Sequence, residues 1–414
     1  MYDSNSHKIS AKYQKGMPFE QQKSQRYDLS KGEVSLPCAT LNLNSVKHNI
    51  NWMQEFANFH NILLAPHGKT SLTPEIIQLQ VEEGAWGITV ANVQQAYVAK
   101  MAGAKRIIIA NQVIGKSNFK LAAELMSDVE LYICVDSISN IRALGQFFSQ
   151  QSSPLNILIE YGVPHGRCGA RTEAEVNDLV DELAQHSGLS LQGLEFYEGV
   201  IHGGNEEKEV QEFVSQVCDL FMRLDAKSTF NCQSPIITGA GSAWYDIVTQ
   251  AFQSLPDRLT KIIRPGCYVS HDKGIYQTAQ RKVLERISHS EQLSKFIEND
   301  LKSAIEVWAY AQSRPEPNRI IVALGKRDVA FDTELPMLER IYRDGERIEF
   351  NAQLAITKDV MDQHMFLEVP DDCPICVGDA LVFSTSHPCI TFDKWRHIAI
   401  SENNIATHWM KTEF

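Results

Sequence analysis

Eight short apolar runs, spaced by helix-like stretches, limit the fold of this chain more than any other feature. They are Ile62–Ala65, Trp86–Val90, Arg106–Ala110, Glu130–Val135, Leu155–Tyr161, Leu191–Tyr197, Pro235–Thr238 and Lys261–Arg264. Each is continuous in its apolar character and does not alternate with polar residues, as expected of parallel strands covered on both faces. Thr73-Pro74-Glu75 opens one intervening helix, with Thr as N-cap, Pro at the first helical position and an acid in the first turn, and Gly84 closes it. Leu121–Met126 and Glu173–Leu183 also carry helical spacing. Eight strand–helix units in succession predict an α/β fold, a (β/α)8 TIM-type barrel. A doubly wound open sheet is the alternative, weakened because no GxGxxG follows an early strand.

Beyond about residue 285 the texture changes. Ala304–Ala311, Arg319–Leu324, Arg347–Ile356, Met365–Val369 and Asp379–Ser384 read as strands punctuated by Pro, Gly and Asp. The expected organisation is an N-terminal arm (1–33), polar and mixed in charge, a barrel (34–285) and a mostly β C-terminal domain (286–414). Apolar residues make up 43% of the 414 and charged residues 22%, which excludes disorder over most of the length. The net charge of −12 argues against nucleic acid as the main partner. No stretch of about 18 apolar residues marks a membrane span, and the first residues lack the apolar core of a signal peptide. Nine cysteines, sparse and odd in number, fit reduced thiols. The expectation is a cytoplasmic protein.

Several polar groups fall at the strand ends that form the catalytic face of such a barrel. Lys69, in Pro66-His67-Gly68-Lys69-Thr70, follows the first strand. It is either a Schiff-base lysine, which needs burial or cationic neighbours to be neutral, or a solvated loop lysine. Gly239-Ala240-Gly241-Ser242 follows the seventh strand. It is either a plain tight turn or a phosphate seat built from backbone N–H groups and the Ser242 hydroxyl. Arg167, Tyr197, Arg264 and Tyr268 follow the fifth, sixth and eighth strands. In the β domain, His387 and Cys389 stand two residues apart, close enough to share a divalent metal or to be an unrelated pair in a turn. Cys373-Pro374-Ile375-Cys376 lacks a second pair and reads as a surface turn. Cys168 and Cys267 have no paired base that would mark a nucleophile.

Taken together, these segments resemble the alanine-racemase-type (fold type III) pyridoxal-phosphate enzymes, and among them the D-serine dehydratase / D-threonine aldolase group. Leu36–Leu41, Gly84–Thr89 and Arg264–Tyr268 add to the likeness, which covers residues 30–414. The resemblance implies that Lys69 carries pyridoxal 5'-phosphate, that Gly241 and Ser242 hold its phosphate, and that Arg167, Tyr197 and Tyr268 surround it. It further implies that His387 and Cys389 bind zinc or a similar ion beside it. The aldolases usually have His-x-Asp where this chain has His-x-Cys, so the resemblance favours a dehydratase acting on a D-3-hydroxy amino acid such as D-serine. A D-threonine-aldolase-like lyase and a non-catalytic pyridoxal-phosphate homeostasis protein are the rivals. The resemblance also implies a homodimer. Two segments depart from the family: Gly-Ala-Gly-Ser-Ala-Trp replaces a turn that more often has adjacent glycines and a Pro, and extra residues separate Gly199 from His202.

Overall fold

The computed structural model describes residues 11–20 and 25–414. Of the expected arm 1–33, residues 1–10 and 21–24 lie outside the described residues. Contacts divide the chain into two compact units.

One unit comprises Ile50–Tyr268 and Ala279–Asp300. It contains eight parallel strands: β1 (Leu63–Leu64), β2 (Ile88–Val90), β3 (Arg106–Gln112), β4 (Glu130–Val135), β5 (Leu155–Tyr161), β6 (Leu189–Phe196), β7 (Ile236–Gly239) and β8 (Thr260–Ile263). Their hydrogen-bonded order runs β1-β8-β7-β6-β5-β4-β3-β2. The ring closes between β1 and β2: Trp86 N–H donates to Leu64 O at 2.8 Å, and His67 bridges Thr89 in parallel. Closure settles the barrel over the open sheet. All eight expected strands are present, each within a few residues of its expected bounds.

The apolar runs are continuous because both faces of each strand are covered. Ile107, Ile108 and Ile109 are all buried. Ile108 joins Ala65, Cys134, Leu158, Ile236 and Ile262 in one core cluster, and its neighbours Ile107 and Ile109 face the opposite side. Helix Glu173–Leu183 has its expected bounds and a full capping box from Thr172 and Glu175. Helix Pro74–Glu82 begins on Pro74 as expected. The Thr73 hydroxyl, however, donates to Ser71 O at 2.9 Å and caps nothing, because that local carbonyl takes it first.

The second unit gathers residues through Asn49, Val269–Thr278 and Leu301–Phe414, where the sequence reading cut after 33 and 285. The difference has a backbone cause. Strand Cys38–Leu41 pairs antiparallel with Ile305–Glu316 and parallel with His397–Glu402, and Tyr27–Asp28 pairs with Ile405–Lys411. Among the described residues these belong to an 11-stranded, mostly antiparallel sheet. The single strand expected over 347–356 is instead two. Glu346–Ile348 folds back on Met337–Arg343 through Asp344-Gly345, both left-handed, and a 3-10 turn capped by Asn351 then breaks the chain before Ile356–Val360. No helix among the described residues is long and apolar enough to cross a membrane.

Candidate active site

At the end of β1 the chain makes one 3-10 turn, Gly68–Thr70, that carries Lys69. Lys69 is exposed, while Gly68 and Thr70 on either side are buried. The loop after β8 packs directly on this turn. His67 N–H donates to Pro265 O at 3.1 Å, and a Cβ on Gly266 would come within 2.8 Å of His67 O and 2.7 Å of Thr70 Oγ1. Only glycine allows that approach. Burial pushes the His67 imidazole well down, aided by the positive charges of Lys69, Arg264 and Arg167.

The glycine-rich turn after β7 arranges its donors differently from the sequence expectation. Ala240 N–H and Gly241 N–H donate to the two carboxylate oxygens of Glu198, at 3.2 and 2.8 Å. The Ser242 hydroxyl oxygen accepts from Gly266 N–H at 3.2 Å and Cys267 N–H at 3.1 Å. One hydroxyl and two successive amides therefore converge beside the Lys69 turn. With its oxygen accepting both amides, the Ser242 O–H is left as a donor that suits a phosphate oxygen.

Gly241 lies on the Tyr197 ring, where an added Cβ would meet Cε2 at 2.8 Å. Arg167 also contacts that ring, its guanidinium carbon 4.4 Å from the centroid. Burial, with the Glu198 charge, pushes the Tyr197 phenol up to about 12. The turn that carries Lys69 is thus linked through Gly266 and Ser242 to Gly241, Tyr197 and Arg167 across adjoining loops. Tyr268 is buried, and its hydroxyl accepts from Gln80 Nε2 at 2.9 Å.

A charged cluster inside the barrel escaped the sequence reading. Glu160 on β5 and Glu195 on β6 are register partners, only 3% and 1% exposed. Arg264 donates to Glu195 and, at 2.8 Å, to Phe196 O. Gln112 Nε2 donates to Glu160 at 2.6 Å. Burial and the neighbouring Glu195 charge push Glu160 up to about 7. The signal was an acid inside each of two apolar strands, where an uncompensated charge is costly. Glu198, also buried, was not among the expected site residues.

In the β unit, His387 sits in a left-handed conformation (φ +50°) before the short helix Pro388–Phe392. Its Nδ1 lies 2.6 Å from Asp332 Oδ2. The hydrogen bond with Cys389, then that with Asp332, pushes the imidazole up to about 9. The backbone here is fixed by Asp272. One of its oxygens accepts His387 N–H at 2.9 Å, and the other accepts Gly274, Tyr276 and Gln277 N–H at 3.0, 3.0 and 3.1 Å. His387 and Cys389 do meet, as their spacing suggested. Among the described residues no group of three or more His, Cys, Asp or Glu side chains is arranged to hold a metal. An imidazole and a thiol alone fit an open site rather than a closed structural one. Cys373 and Cys376 lie in a turn held by Arg314, which donates to Cys373 O and Ile375 O.

The alanine racemase N-terminal domain family matches residues 41–269, more than half of the chain. The chain belongs to this family. A second match, to the putative serine dehydratase domain, covers residues 304–401. Over 308 residues the chain is 29% identical to the D-threonine aldolase of an Arthrobacter species, spanning 74% of this chain and 75% of that one. Among solved structures, the D-threonine aldolase of Filomicrobium marinum superposes with a TM-score of 0.76 at 20% identity, covering 93% of this chain and 96% of that one. The D-threo-3-hydroxyaspartate dehydratase of Delftia sp. HT23 superposes with a TM-score of 0.72 at 18% identity, covering 94% and 99%. Barrel plus mostly β unit is therefore the shared fold of this alanine-racemase-like group.

Proposed function

We propose that this chain is a pyridoxal-phosphate-dependent lyase that dehydrates a D-3-hydroxy amino acid such as D-serine. The products are a 2-keto acid and ammonia, and a divalent metal, zinc by donor chemistry, assists at His387 and Cys389. The observation that carries the reading is the Lys69 turn packed against Gly266, with the Gly266 and Cys267 amides both donating to Ser242 Oγ so that the Ser242 O–H is the group left to donate to a phosphate. The named relatives, which are aldolases and dehydratases, support a lyase. Cys389 in the His-x-Cys pair favours dehydration.

When bound, the cofactor supplies an electron sink for negative charge at Cα, and the metal supplies a Lewis acid for the β-oxygen. The rest falls to the chain's own groups. The Ser242 O–H, its oxygen held by the Gly266 and Cys267 amides, donates to the phosphate. Tyr197, braced by Arg167, walls the ring site. Lys69 Nζ takes the proton from Cα of the D-substrate. Loss of that proton and of the β-hydroxyl as water leaves an enamine, which water hydrolyses to the keto acid and ammonia. The Arthrobacter relative favours one other reading, a retro-aldol cleavage on the same residues. A cytoplasmic homodimer accompanies the proposal, and sedimentation velocity checks the dimer.

The test mixes metal-replete protein with D-serine, and with L-serine in parallel, and assays pyruvate and ammonia. D-specific release of both is the expected result. Glycine plus an aldehyde from D-threonine would identify the aldolase instead. Lys69→Ala should abolish the visible absorbance of the bound cofactor, and a normal band in that variant would end the assignment.

A further inference from the structure

We infer that Glu198 is a positioning residue that builds the cofactor's phosphate seat by holding the turn after β7 in a conformation it would not otherwise keep. The inference rests on the pyridoxal-phosphate reading above. Ala240 has φ +71°, in the left-handed region that non-glycine residues avoid. That conformation aims the successive N–H groups of Ala240 and Gly241 at one point, forming a small anion-binding nest. The anion in it belongs to the chain itself. Glu198 is fully buried, and each of its carboxylate oxygens takes one of the two amides.

Two consequences follow for the residues beside the turn. First, the amides that the sequence assigned to the phosphate are already engaged. The phosphate falls to the next donor along, the Ser242 O–H, whose oxygen is held in place by the Gly266 and Cys267 amides. Second, Glu198 directly follows Tyr197, whose ring supports Gly241. A single dipeptide therefore fixes the turn from both sides, by ring contact and by paired hydrogen bonds. Without the carboxylate, nothing offsets the left-handed Ala240. The turn relaxes, and Ser242 loses its register with Gly266 and Cys267.

A residue acting through the phosphate seat should matter only to ligands that carry a phosphate. The experiment titrates the parent protein, Glu198→Ala and Glu198→Gln with pyridoxal phosphate and with pyridoxal. Binding is read by absorbance and by quenching of tryptophan fluorescence, and folding is checked by circular dichroism. Loss of two charge-assisted hydrogen bonds predicts that Glu198→Ala binds pyridoxal phosphate at least about tenfold more weakly, with pyridoxal binding changed less than about twofold. Glu198→Gln keeps one acceptor oxygen and should fall between. If Glu198→Ala does not fold, Glu198→Gln carries the same comparison. Equal pyridoxal-phosphate affinity in the parent and the folded variants would overturn the inference, as would equal weakening toward both ligands. A parent that binds neither ligand would overturn the cofactor reading itself, and the inference with it.

Discussion

Glu160→Gln should stabilise the barrel, and do so in a pH-dependent way. Glu160 is 3% exposed and faces Glu195 in register. Its carboxyl is raised from an ordinary 4.5 to about 7, first by burial and then by the Glu195 charge. A raised carboxyl contributes its full share of stability below the unfolded value, and that share is lost as pH rises through the folded one. The gap between 4.5 and about 7 corresponds to about 3 kcal/mol, complete by pH 8 and amounting to less than about 1 kcal/mol at pH 5. Glutamine matches the neutral acid in size, and its carbonyl oxygen can still accept from Gln112 Nε2. At about 2–4 °C per kcal/mol for a unit of this size, Tm should rise by roughly 6–12 °C at pH 8 and by a few degrees at pH 5. Thermal melts of parent and variant, cofactor-saturated at both pH values, measure this. An unchanged or lowered Tm at pH 8, or a shift of equal size at pH 5, would refute the reasoning.

Other perturbations address separate parts of the molecule. Gly241→Ala places a Cβ 2.8 Å from the Tyr197 ring, so it should displace the ring, loosen its Arg167 contact and weaken pyridoxal-phosphate binding in titration; unchanged affinity would count against the site. Cys389→Ala should lower bound zinc, measured by atomic absorption, and abolish dehydration; a metal-free variant with full activity would remove the metal from the reaction. Asp272→Ala strips four backbone N–H groups of their acceptor. It should cost about 3 kcal/mol or more in urea unfolding, and a loss under about 1 kcal/mol would contradict that account.

The barrel was legible because its signal is local. Each strand is a continuous apolar run, and full burial of Ile107–Ile109 and Leu131–Val135 is the physical origin of that continuity. The β unit was less legible because its pairings are long-range. Cys38–Leu41 meets Val307 and its neighbours, and no local pattern marks a strand that completes a sheet formed by residues hundreds of positions away. Met337–Arg343 carries Glu339 and Arg340 inside it. Arg340 makes a two-point ion pair with Glu306, at 2.8 and 2.6 Å, and so reads as polar although it is half-buried. At the site, position and spacing left Lys69, the glycine turn and the His387–Cys389 pair each open between a functional and a plain reading, and only the family resemblance favoured the functional one. Neither spacing nor resemblance gave any sign that the turn's amides belong to Glu198, since that depends on where β6 ends relative to β7.

Dehydration and retro-aldol cleavage differ in what they ask of the substrate's β-oxygen. Dehydration must withdraw electrons from that oxygen so that it leaves as water, whereas cleavage must remove its proton so that the Cα–Cβ bond breaks toward an aldehyde. The proposed Lewis acid at His387 and Cys389 would serve either need, because such an ion both stabilises a departing oxygen and acidifies a bound hydroxyl. A phosphate held by the Ser242 O–H, as proposed, would serve both reactions as well. Removing any of these groups therefore slows the two reactions together and leaves their ratio uninformative. The discriminating quantity is the fate of the amino nitrogen: dehydration releases it as ammonia, and cleavage keeps it in glycine. With D-threonine as a common substrate, ammonia with a four-carbon keto acid identifies the dehydratase, and glycine with acetaldehyde identifies the aldolase.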